Sequence, residues 1–563
     1  MEIRVSGETD EETARVIATA LAEHLGRPVK LRAHDGPVAS AGDPDWPDGV
    51  VTEREDQIRE EIERITAGGP ERGHEKLQEL GKLFVRDRLE LIFDAVEYED
   101  GTFARADDEE LPADGMVTGV GRIDGRQVFF TANDYSVKAG SLGQMGVEKA
   151  LRTAERAVEA GAPVLRLIDS TGARLNVEER DEGDTHVDRY RGGRMFYNQC
   201  VHSGQVPQIG VLYGPDIAGS AYTPVFCDFL VMVEDVSAMA IASPRIVAAM
   251  TGEEVSMDAL GGPEVHATQS GSCDLVVPDE EAAATAVRDL LSYLPDAYDA
   301  DLPTREPKPP AANPKGLDAV IPESPNRAYD VHEVIERLVD RESFLEVKPR
   351  FAPEIVTGFA RVEGRPVGVV ANQPEHVSGA IFPDSAEKAA EFVWICDAYE
   401  IPLMYLCDTP GFMVGSEVER QGILQRGRKF IYATSNAQVP KLCVITRKAY
   451  GAGIYAMCGP AFGADATLAL PSAEISVMGP QAAVHALFGD QLADMDGDQR
   501  EAFVESAREQ FEEYVDLQAQ AARMQVDELL PAGDLRDQLA ARLRTFRGKR
   551  RTERDRHHGT VLF

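Results

Sequence analysis

The sequence lacks a Cys-x-x-Cys pair, an apolar run of 18 residues and any surplus of basic side chains. Its seven cysteines are scattered through apolar runs, which disfavours a disulfide framework or a zinc ribbon, and we predict no metal site. The 58 Lys and Arg face 96 Asp and Glu, a formal net charge of −38, so a face that binds nucleic acid is not expected. The start of the chain is unlike a signal peptide, and we expect a soluble, cytoplasmic protein without a membrane partner.

What the sequence does contain is enough apolar material for several domains. Its 563 residues exceed the size of one core, and 43% of them are hydrophobic, which predicts two to four domains. The acidic excess indicates either an ordinary solvated surface or a halophile-like surface adapted to high salt, since Arg outnumbers Lys. Both interpretations stay open, because charge concerns solubility rather than fold.

Residues 1–74 are a predicted N-terminal extension. They begin with a strand, a helix and a strand, followed by a break from Gly36 to Gly49 that is rich in Gly, Pro and Asp. An acidic helix is predicted from about Thr52 to Thr66. Because the extension carries no motif with evident chemistry, we interpret it as a small cap, with a docking element as the alternative.

From Glu75 onward, apolar strands alternate with amphipathic helices, the pattern of α/β units. A Pro-rich linker from Asp301 to Gly316 interrupts the alternation, because Pro sustains neither a helix nor a central strand. We therefore predict one domain over 75–315 and a second over 316–563. The basic C-terminal tail, RLRTFRGKRRTERDRHHGTVLF, is expected to pair with acidic surface as a strap rather than to bind nucleic acid.

The two domains are predicted copies of one unit. The segment VTGVGRIDGRQVFFTAND, which starts at Val117, resembles VTGFARVEGRPVGVVANQ, which starts at Val356, 239 positions later. The same spacing pairs Gly125 with Gly364, Asn133 with Asn372, Gly140 with Gly379, Glu148-Lys149 with Glu387-Lys388, Pro163 with Pro402, Asp169 with Asp408, and Gly172 with Gly411. No gap is needed over this stretch, so we infer a duplication.

Each copy carries a turn of small residues between an apolar strand and a predicted helix. The segment DIAGSAYTP, Asp216 to Pro224, falls opposite AYGAGIYAM, Ala449 to Met457, at a spacing of 233. Such a turn exposes backbone N–H groups without intrahelical partners, and the helix dipole adds positive potential there. Small side chains let a reacting oxygen approach the backbone, so these turns suit the stabilisation of oxyanions. One such turn alone would more simply indicate close helix packing.

Two oxyanion sites in one protein indicate a reaction with two enolate-like oxygens. Carboxyl transfer between a ureido group and a thioester meets that demand, because one turn would hold the thioester enolate and the other the ureido oxygen.

Long ordered segments over about 75–563 resemble the carboxyltransferase (β) subunits of biotin-dependent acyl-CoA carboxylases, such as the propionyl-CoA and methylcrotonyl-CoA enzymes. They include GSLGQMGVEKA, PVLRLIDSTGARL, GPDIAGSAYTP, LGGPEVHATQSGSCDLVVPDEEAA, DTPGFMVGSEVERQGILQRGRKF and VPKLCVITRKAYGAG. The resemblance implies an α/β fold of two tandem crotonase-like (ββα superhelix) domains. It implies acyl-CoA on the first domain, biotin on the second, and an active site between two subunits of a homo-oligomer, usually a hexamer.

The resemblance also implies that biotin is carried by a partner subunit with biotin carboxylase, and no A-M-K-M-type biotinyl motif occurs here. The implied oxyanion donors are Gly219, Ser220, Ala452 and Gly453. Substrate-binding positions beside them are Ala218, Ala221, Gly451, Ile454 and Tyr455. Ser220 replaces a glycine common in the family and narrows the pocket, and Tyr455 stands where many acetyl- and propionyl-CoA enzymes have Asp, so the acyl chain stays open.

Six other polar residues have mainly structural interpretations. We expect His266 and His376 to be structural and Cys458 to be packing. Asp169 and Asp408 are expected to hold the turns that follow them through backbone hydrogen bonds rather than act as acids. Arg174 fits a structural ion pair or a contact with a CoA phosphate equally well.

Three other functions are alternatives to a carboxylase subunit. The first is the carboxyltransferase subunit of a sodium-pumping acyl-CoA decarboxylase, which shares this fold and runs the transfer backward beside membrane partners. The second is a non-catalytic scaffold, which two intact turns disfavour. The third is a plain crotonase such as a hydratase, which needs carboxylates near one oxyanion site and gives no reason for a second.

Overall fold

The computed structural model describes residues 2–4, 16–18, 20–21, 29–33, 36–41, 52–174, 192–325, 327–493, 495–514, 517–549, 551–552 and 560. The chain divides into two compact units, residues 1–64 and 65–563. The domain boundaries inferred from the sequence, after residues 74 and 315, stay predictions.

The first unit contains a three-stranded sheet in the order β1-β2-β3. Its strands are β1 (Glu2–Arg4), β2 (Val29–Ala33) and β3 (Gly36–Ala41), with β2 parallel to β1 and antiparallel to β3. The predicted break from Gly36 was therefore wrong over its first six residues. Its Gly and Pro are tolerated in β3 because that strand lies at the sheet edge.

The acidic helix predicted in the extension is confirmed as α1 (Glu53–Thr66). Three acidic side chains lie in its first turn and Arg64 in its last, the arrangement that complements a helix dipole. Of the helix predicted nearer the N-terminus, residues 16–18, 20 and 21 are helical. The remainder of that prediction lies outside the described residues.

A seven-stranded mixed sheet forms the first half of the second unit, in the order β12-β10-β8-β7-β6-β5-β4. Its strands are β4 (Ala95–Asp100), β5 (Met116–Ile123), β6 (Arg126–Asn133), β7 (Val164–Ile168), β8 (Gln208–Leu212), β10 (Phe229–Val233) and β12 (Leu275–Val277). A separate parallel pair joins β9 (Pro215–Ile217) to β11 (Ala238–Ala240).

The second half repeats this order as β20-β18-β17-β16-β15-β14-β13, with β19 beside β17. Its strands are β13 (Leu345–Val347), β14 (Ile355–Val362), β15 (Arg365–Asn372), β16 (Leu403–Thr409), β17 (Lys441–Tyr450), β18 (Ala466–Ala469), β19 (Glu474–Ser476) and β20 (Glu528–Leu529).

Helices cover and connect these sheets. In the first half they are α2 (Glu71–Glu79), α3 (Val85–Ile92), α4 (Gln144–Ala160), α5 (Gly192–His202), α6 (Tyr222–Val225), α7 (Pro244–Thr251), α8 (Met257–Gly261), α9 (Pro263–Thr268) and α10 (Glu280–Tyr293). In the second they are α11 (Leu317–Val320), α12 (His332–Leu338), α13 (Pro383–Ala398), α14 (Ser416–Arg420), α15 (Ile423–Asn436), α16 (Gly453–Ala456), α17 (Pro480–Ala493), α18 (Gly497–Tyr514), α19 (Leu517–Ala522) and α20 (Leu535–Phe546).

Strand register confirms the duplication residue by residue. In the first half Val117 pairs with Ala132, and in the second Val356 pairs with Ala371. The isolated parallel bridge between Leu142 and Ala173 has its counterpart between Ile381 and Phe412. All these pairs keep the spacing of 239, so the backbone paths of the two halves correspond.

Two equivalent lysines hold the loops that lead into β5 and β14. The buried ammonium of Lys149 donates to the carbonyl of Ala113 at 3.2 Å, and that of Lys388 donates to the carbonyls of Phe351 and Ile355 at 2.8 Å each. Burial lowers the pKa of both ammonium groups to about 8. Both lysines therefore have structural roles.

The two halves share one apolar core. Phe229 and Tyr293 of the first half and Phe359 of the second belong to the same cluster, and the rings of Tyr293 and Phe359 stack at 5.6 Å. A buried hydrogen bond runs from the Tyr399 hydroxyl to the Asp228 carboxylate at 2.6 Å. This shared core explains why residues 65–563 form a single compact unit.

The predicted linker from Asp301 to Gly316 is confirmed over most of its length. No helix or strand occurs between Asp301 and Asn313, whereas the last three residues, Pro314–Gly316, form a 3-10 helix. In the described part of the tail, Lys549 pairs with Asp465 at 2.7 Å and Arg551 with Asp397 at 3.3 Å. The strap on acidic surface is therefore confirmed for these residues.

Candidate active site

The two small-residue turns occupy equivalent places in the two sheets. The first is a 3-10 helix, Ala218–Ala221, that follows β9 directly and leads into α6. The second consists of Gly451 and Ala452, which join the end of β17 to α16. Both following helices have only four residues, so exposed N–H groups rather than a helix macrodipole supply the positive potential at these turns.

At the first turn the backbone is bent sharply. Ala218 has a φ of +68°, and the Ser220 hydroxyl donates to the Ile217 carbonyl at 2.9 Å. Ala218 and Gly219 are exposed, Ser220 is half-buried and Ala221 is buried. A Cβ placed on Gly219 would have Phe196 Cζ as its nearest neighbour, at 3.9 Å. The space that a side chain at position 219 would occupy is therefore open.

The second turn is packed more tightly. Gly451 has a φ of +56° and its amide donates to the Ser476 carbonyl at 3.0 Å. A Cβ on Gly453 would lie 2.8 Å from Gly411 Cα and 2.9 Å from Thr409 Cγ2, so this position requires glycine. Ala452 is exposed while Gly453 is buried. The solvent side of this turn is thus the amide of Ala452 and the space before it.

Tyr455 and Ile454 border the second turn differently. The Tyr455 ring is 44% exposed and stacks on Phe462 at 4.7 Å, so it forms a fixed wall beside Ala452. Ile454 is buried. On the first turn, the aromatic neighbours are Phe196 and Tyr222, whose rings meet edge to face at 6.1 Å.

A glycine from the preceding strand-loop supports each turn. Gly172 has a φ of +94°, and a Cβ there would lie 3.0 Å from the Ile217 carbonyl oxygen and 3.5 Å from Ser220 Oγ. Its counterpart Gly411 has a φ of +115° and lies against Gly453. These contacts repeat in both halves, and the sequence spacing predicted the two glycines to be equivalent without indicating this contact.

The roles expected of Asp169 and Asp408 need a correction. The turns after them are held instead by the next residue, since the Gly172 amide donates to Ser170 Oγ and the Gly411 amide to Thr409 Oγ1, each at 3.1 Å. The two aspartates are buried in ion pairs, which occupy their oxygens in place of the predicted bonds.

Each aspartate contacts one lysine and one arginine. Asp169 lies 2.6 Å from Lys82 Nζ and 2.8 Å from Arg88 Nη1. Asp408 lies 2.9 Å from both Arg447 Nε and Lys448 Nζ. Burial lowers the pKa of Lys82, whereas Asp169 and Glu280 raise that of Arg88. These contacts support the expectation that neither aspartate acts as an acid.

The other polar residues singled out have structural partners. The His266 ring bonds to Ser270 Oγ at 2.8 Å and to the Met239 carbonyl at 2.9 Å. Arg174 pairs with Asp114 and donates to the Ser141 carbonyl at 2.8 Å, which favours the ion-pair alternative. Burial raises the pKa of the Cys458 thiol to about 11, as expected for packing. His376 is exposed.

One residue that the sequence did not single out is Asp216, in the middle of β9. Its side chain is 1% exposed, and neither carboxylate oxygen has a hydrogen-bond partner among the described residues. Burial raises the pKa of Asp216 to about 7, against the lowering effect of the Ser220 hydroxyl and the Ile217 amide. No sequence motif predicts such a residue, because what distinguishes Asp216 is a buried carboxyl without a well-formed hydrogen bond.

Both halves carry exposed apolar side chains. In the first half they include Tyr222, Val225, Ile241, Ile246 and Met250, and in the second Met413, Val414, Leu424, Val477 and Met478. Exposed apolar side chains that lie together on one surface are typical of an interface with another chain. No helix in the described part of the chain is both long and apolar enough to cross a bilayer.

Known proteins share both the sequence and the fold. The model of the carboxyl transferase domain family matches residues 76–561. The uncharacterized carboxylase YngE of Bacillus subtilis is 46% identical over 510 residues, covering 90% of this chain and 99% of the relative. The propionyl-CoA carboxylase carboxyltransferase subunit of Haloferax mediterranei is 39% identical over 528 residues, covering 91% of this chain and 99% of the relative.

Among solved structures, a transcarboxylase 12S crystal structure with methylmalonyl-coenzyme A and methylmalonic acid bound, described as a hexamer assembly, has a TM-score of 0.85 and 37% identity. The match covers 92% of this chain and 100% of that one. Together with the repeated strand order, this similarity confirms the predicted α/β fold of two crotonase-like halves.

Proposed function

The chain belongs to the carboxyl transferase domain family, and we propose that it is the carboxyltransferase subunit of a biotin-dependent acyl-CoA carboxylase. It transfers a carboxyl group from carboxybiotin to the α carbon, or the vinylogous position, of a short acyl-CoA such as propionyl-CoA. The observation that carries this proposal is the pair of equivalent turns, one in each half of a duplicated fold. A reaction with one oxyanion, such as hydration, would use only one of them.

The first turn serves the acyl-CoA. The amides of Gly219 and Ser220 donate to the thioester oxygen as it becomes an enolate, with Ala218 and Ala221 beside it. Because the Ser220 hydroxyl is held by Ile217, the side chain lies against the turn instead of projecting freely. The open space before Gly219 supports entry of a thioester at this point.

The second turn serves the biotin that a partner subunit carries. When bound, carboxybiotin supplies the carboxyl group and a ureido nitrogen able to take the α-proton. The amides of Ala452 and Gly453 donate to the ureido oxygen, and Gly451 fixes the bend before them. Tyr455 and Ile454 border the site, and the fixed ring of Tyr455 offers an apolar face to a flat bicyclic group. The residues present therefore fit this group.

The working site lies between two copies of this chain, with the acyl-CoA turn of one facing the biotin turn of another, in a homo-oligomer that is a hexamer. The exposed apolar side chains of Tyr222 and Val477, which adjoin the first and the second turn, support this arrangement. The acyl-CoA domain spans 75–315 and the biotin domain 316–563, in a cytoplasmic enzyme. The sodium-pumping decarboxylase is the less favoured alternative, because 39% identity to a propionyl-CoA carboxylase subunit supports the carboxylase.

The deciding experiment is a carboxylation assay of the complex that co-purifies with this chain. Acetyl-, propionyl- and methylcrotonyl-CoA are offered separately with ATP and labelled bicarbonate, and avidin serves as the control because it sequesters biotin. We expect avidin-sensitive label in at least one acyl-CoA. Sodium-dependent decarboxylation with a membrane partner, and no carboxylation, would favour the decarboxylase instead. No turnover of either kind would contradict the proposal.

A further inference from the structure

The first turn contains a buried acid that the second turn lacks. Asp216 lies on β9, two residues before Ala218. The equivalent position in the second half, by the spacing of 233, is Ala449. Both side chains are buried, at 1% and 0% exposure. The two turns therefore match in backbone and differ in a group that can carry a charge.

An ionised carboxylate is poorly supported at this position. Neither oxygen of Asp216 accepts a hydrogen bond of good geometry among the described residues, and the nearby Ser220 hydroxyl and Ile217 amide lower its pKa by less than burial raises it. Leaving a carboxylate buried without a donor is costly, so the neutral acid is the favoured form. By contrast Asp169, also buried, is paired with Lys82 and Arg88.

The charged groups on neighbouring elements do not compensate Asp216. Asp169 and Lys82 border Gly214, where a Cβ would lie 2.2 Å and 2.7 Å from their side-chain atoms, and they pair with each other. On the other side, β11 pairs Met239 with Asp216, and His266 bonds to the Met239 carbonyl. None of the three has a recorded hydrogen bond or ion pair with Asp216.

The Ser220 hydroxyl connects this acid to the turn. It has one hydrogen, which it donates to the Ile217 carbonyl at 2.9 Å. An ionised Asp216 would be a stronger acceptor for that hydrogen than a carbonyl, because hydrogen bonds to charged groups are the stronger ones. Ionisation would therefore draw the hydroxyl away from Ile217, whereas the neutral acid leaves it in place.

We propose that Asp216 is a positioning residue of the first turn that acts in its neutral form, keeping the Ser220 hydroxyl on Ile217 and keeping negative charge away from the oxyanion. This inference rests on the proposed function, because it takes Gly219 and Ser220 to be the donors to the enolate. An ionised carboxylate beside that enolate would repel it. Transfer through the first turn then declines as Asp216 ionises, with the pKa near 7 placing the decline within the working range.

The test compares the complete carboxylase complex containing wild-type chain with one containing Asp216→Asn, from pH 6 to 9. Asparagine keeps the shape and cannot ionise. The measured quantity is the ratio of variant to wild-type transfer rate at saturating acyl-CoA, in which the pH dependence of the partner subunit cancels. We expect the ratio to rise by about tenfold or more across this range, since each pH unit above a pKa removes about nine-tenths of the neutral form.

Asp228→Asn is the matched control, because Asp228 is another carboxyl whose pKa is raised, to about 6, but it is half-buried and accepts a hydrogen bond from Tyr399. Its ratio is expected to be independent of pH. A flat ratio for Asp216→Asn, an assembled but inactive Asp216→Asn enzyme at every pH, or the same rise in Asp228→Asn would each overturn the inference.

A second variant keeps the test decisive if Asp216→Asn fails to assemble. The Ser220 hydroxyl lowers the pKa of Asp216, so Ser220→Ala should move the alkaline decline of its residual activity to higher pH. A decline at the wild-type pH or below it would overturn the inference. If the wild-type complex transfers no carboxyl group, the proposed function fails together with the inference, whereas transfer with a pH-independent ratio removes the inference alone.

Discussion

Asp169 accepts a hydrogen bond from the guanidinium of Arg88 at 2.8 Å, although the two residues are 81 positions apart and both are buried. The bond ties the helix α3, ahead of the first sheet, to the end of a central strand. Arg88 also bonds to Glu280 on α10 at 2.6 Å, so one guanidinium joins three elements directly behind the first turn.

Removing one partner of this buried pair should destabilise the protein strongly. Asp169→Asn leaves Lys82 and Arg88 without their shared counter-charge, and we expect the free energy of unfolding to fall by about 3–5 kcal/mol. Urea unfolding followed by circular dichroism measures it. The control is Glu363→Gln, which breaks an exposed pair with Arg544 and should cost less than about 1 kcal/mol. Equal losses in the two variants would contradict this assignment.

Gly219 and Gly453 should respond differently to a side chain. Gly219→Val has room within the fold but covers the exposed amides, so we expect carboxyl transfer to fall by about 100-fold or more while the unfolding midpoint is kept. Full activity would remove Gly219 from the site. Gly489→Val is the control, since no atom lies within 4 Å of a Cβ there.

At Gly453, a substitution should lower the stability of the fold before it affects carboxyl transfer. In Gly453→Ala the new methyl group meets the backbone of Gly411 at 2.8 Å, and overpacking of this kind costs about 1–3 kcal/mol. Thermal unfolding checks the loss. Ala452, which is exposed, is therefore the better position for testing function there, and Ala452→Phe should abolish transfer with the oligomer intact. An active Ala452→Phe enzyme would argue against the second oxyanion site.

Stability should depend on pH through His332. The ring lies between Asp330 and Glu346, at 2.6 Å and 2.9 Å, and these carboxylates raise its pKa from 6.5 to about 9. Because the folded-state pKa is the higher one, the contribution is complete below about pH 6.5 and is lost as the pH rises through about 9. Wild type should lose more of its urea midpoint than His332→Gln between these values. Parallel midpoints would contradict the assignment.

Charges placed among the exposed apolar side chains should weaken the oligomer. Leu424 is 78% exposed on α15 and Met250 is 80% exposed on α7. We expect Leu424→Asp and Met250→Asp to lower the molar mass measured by light scattering, because each would bury an unpaired carboxylate at an interface. Asp107→Ala, at a surface position away from both turns, serves as the control. An unchanged mass in both test variants would speak against the proposed assembly.

Spacing in the sequence was sufficient to predict much of the fold. Asn133 and Asn372, 239 positions apart, both donate to the carbonyl of a glycine seven residues later, Gly140 at 3.1 Å and Gly379 at 3.3 Å. Copies of one unit keep such local bonds, so finding the repeat predicts the shared strand order as well. The four proposed donors likewise follow from short contiguous turns.

Contacts between residues far apart in the chain could not be predicted from the repeat spacing. Lys82 and Arg88 meet Asp169 only after the sheet is formed, and a buried ion pair with two cations replaces the local bonds that an aspartate usually makes after a strand. Ser170 takes over that local role. Asp216 was missed for a related reason, since burial without a partner depends on every surrounding element and leaves no pattern in the chain.

The core that both halves share has a consequence for synthesis of the chain. Phe229 and Tyr293 are packed by Phe359, and Asp228 is bonded to Tyr399, 171 positions further on. The first half therefore leaves the ribosome with an apolar face uncovered until much of the second half has been made. Since such distant pairings slow folding and expose aggregation-prone intermediates, the nascent chain is a natural client for chaperones, and we expect each half to be poorly soluble when it is expressed without the other.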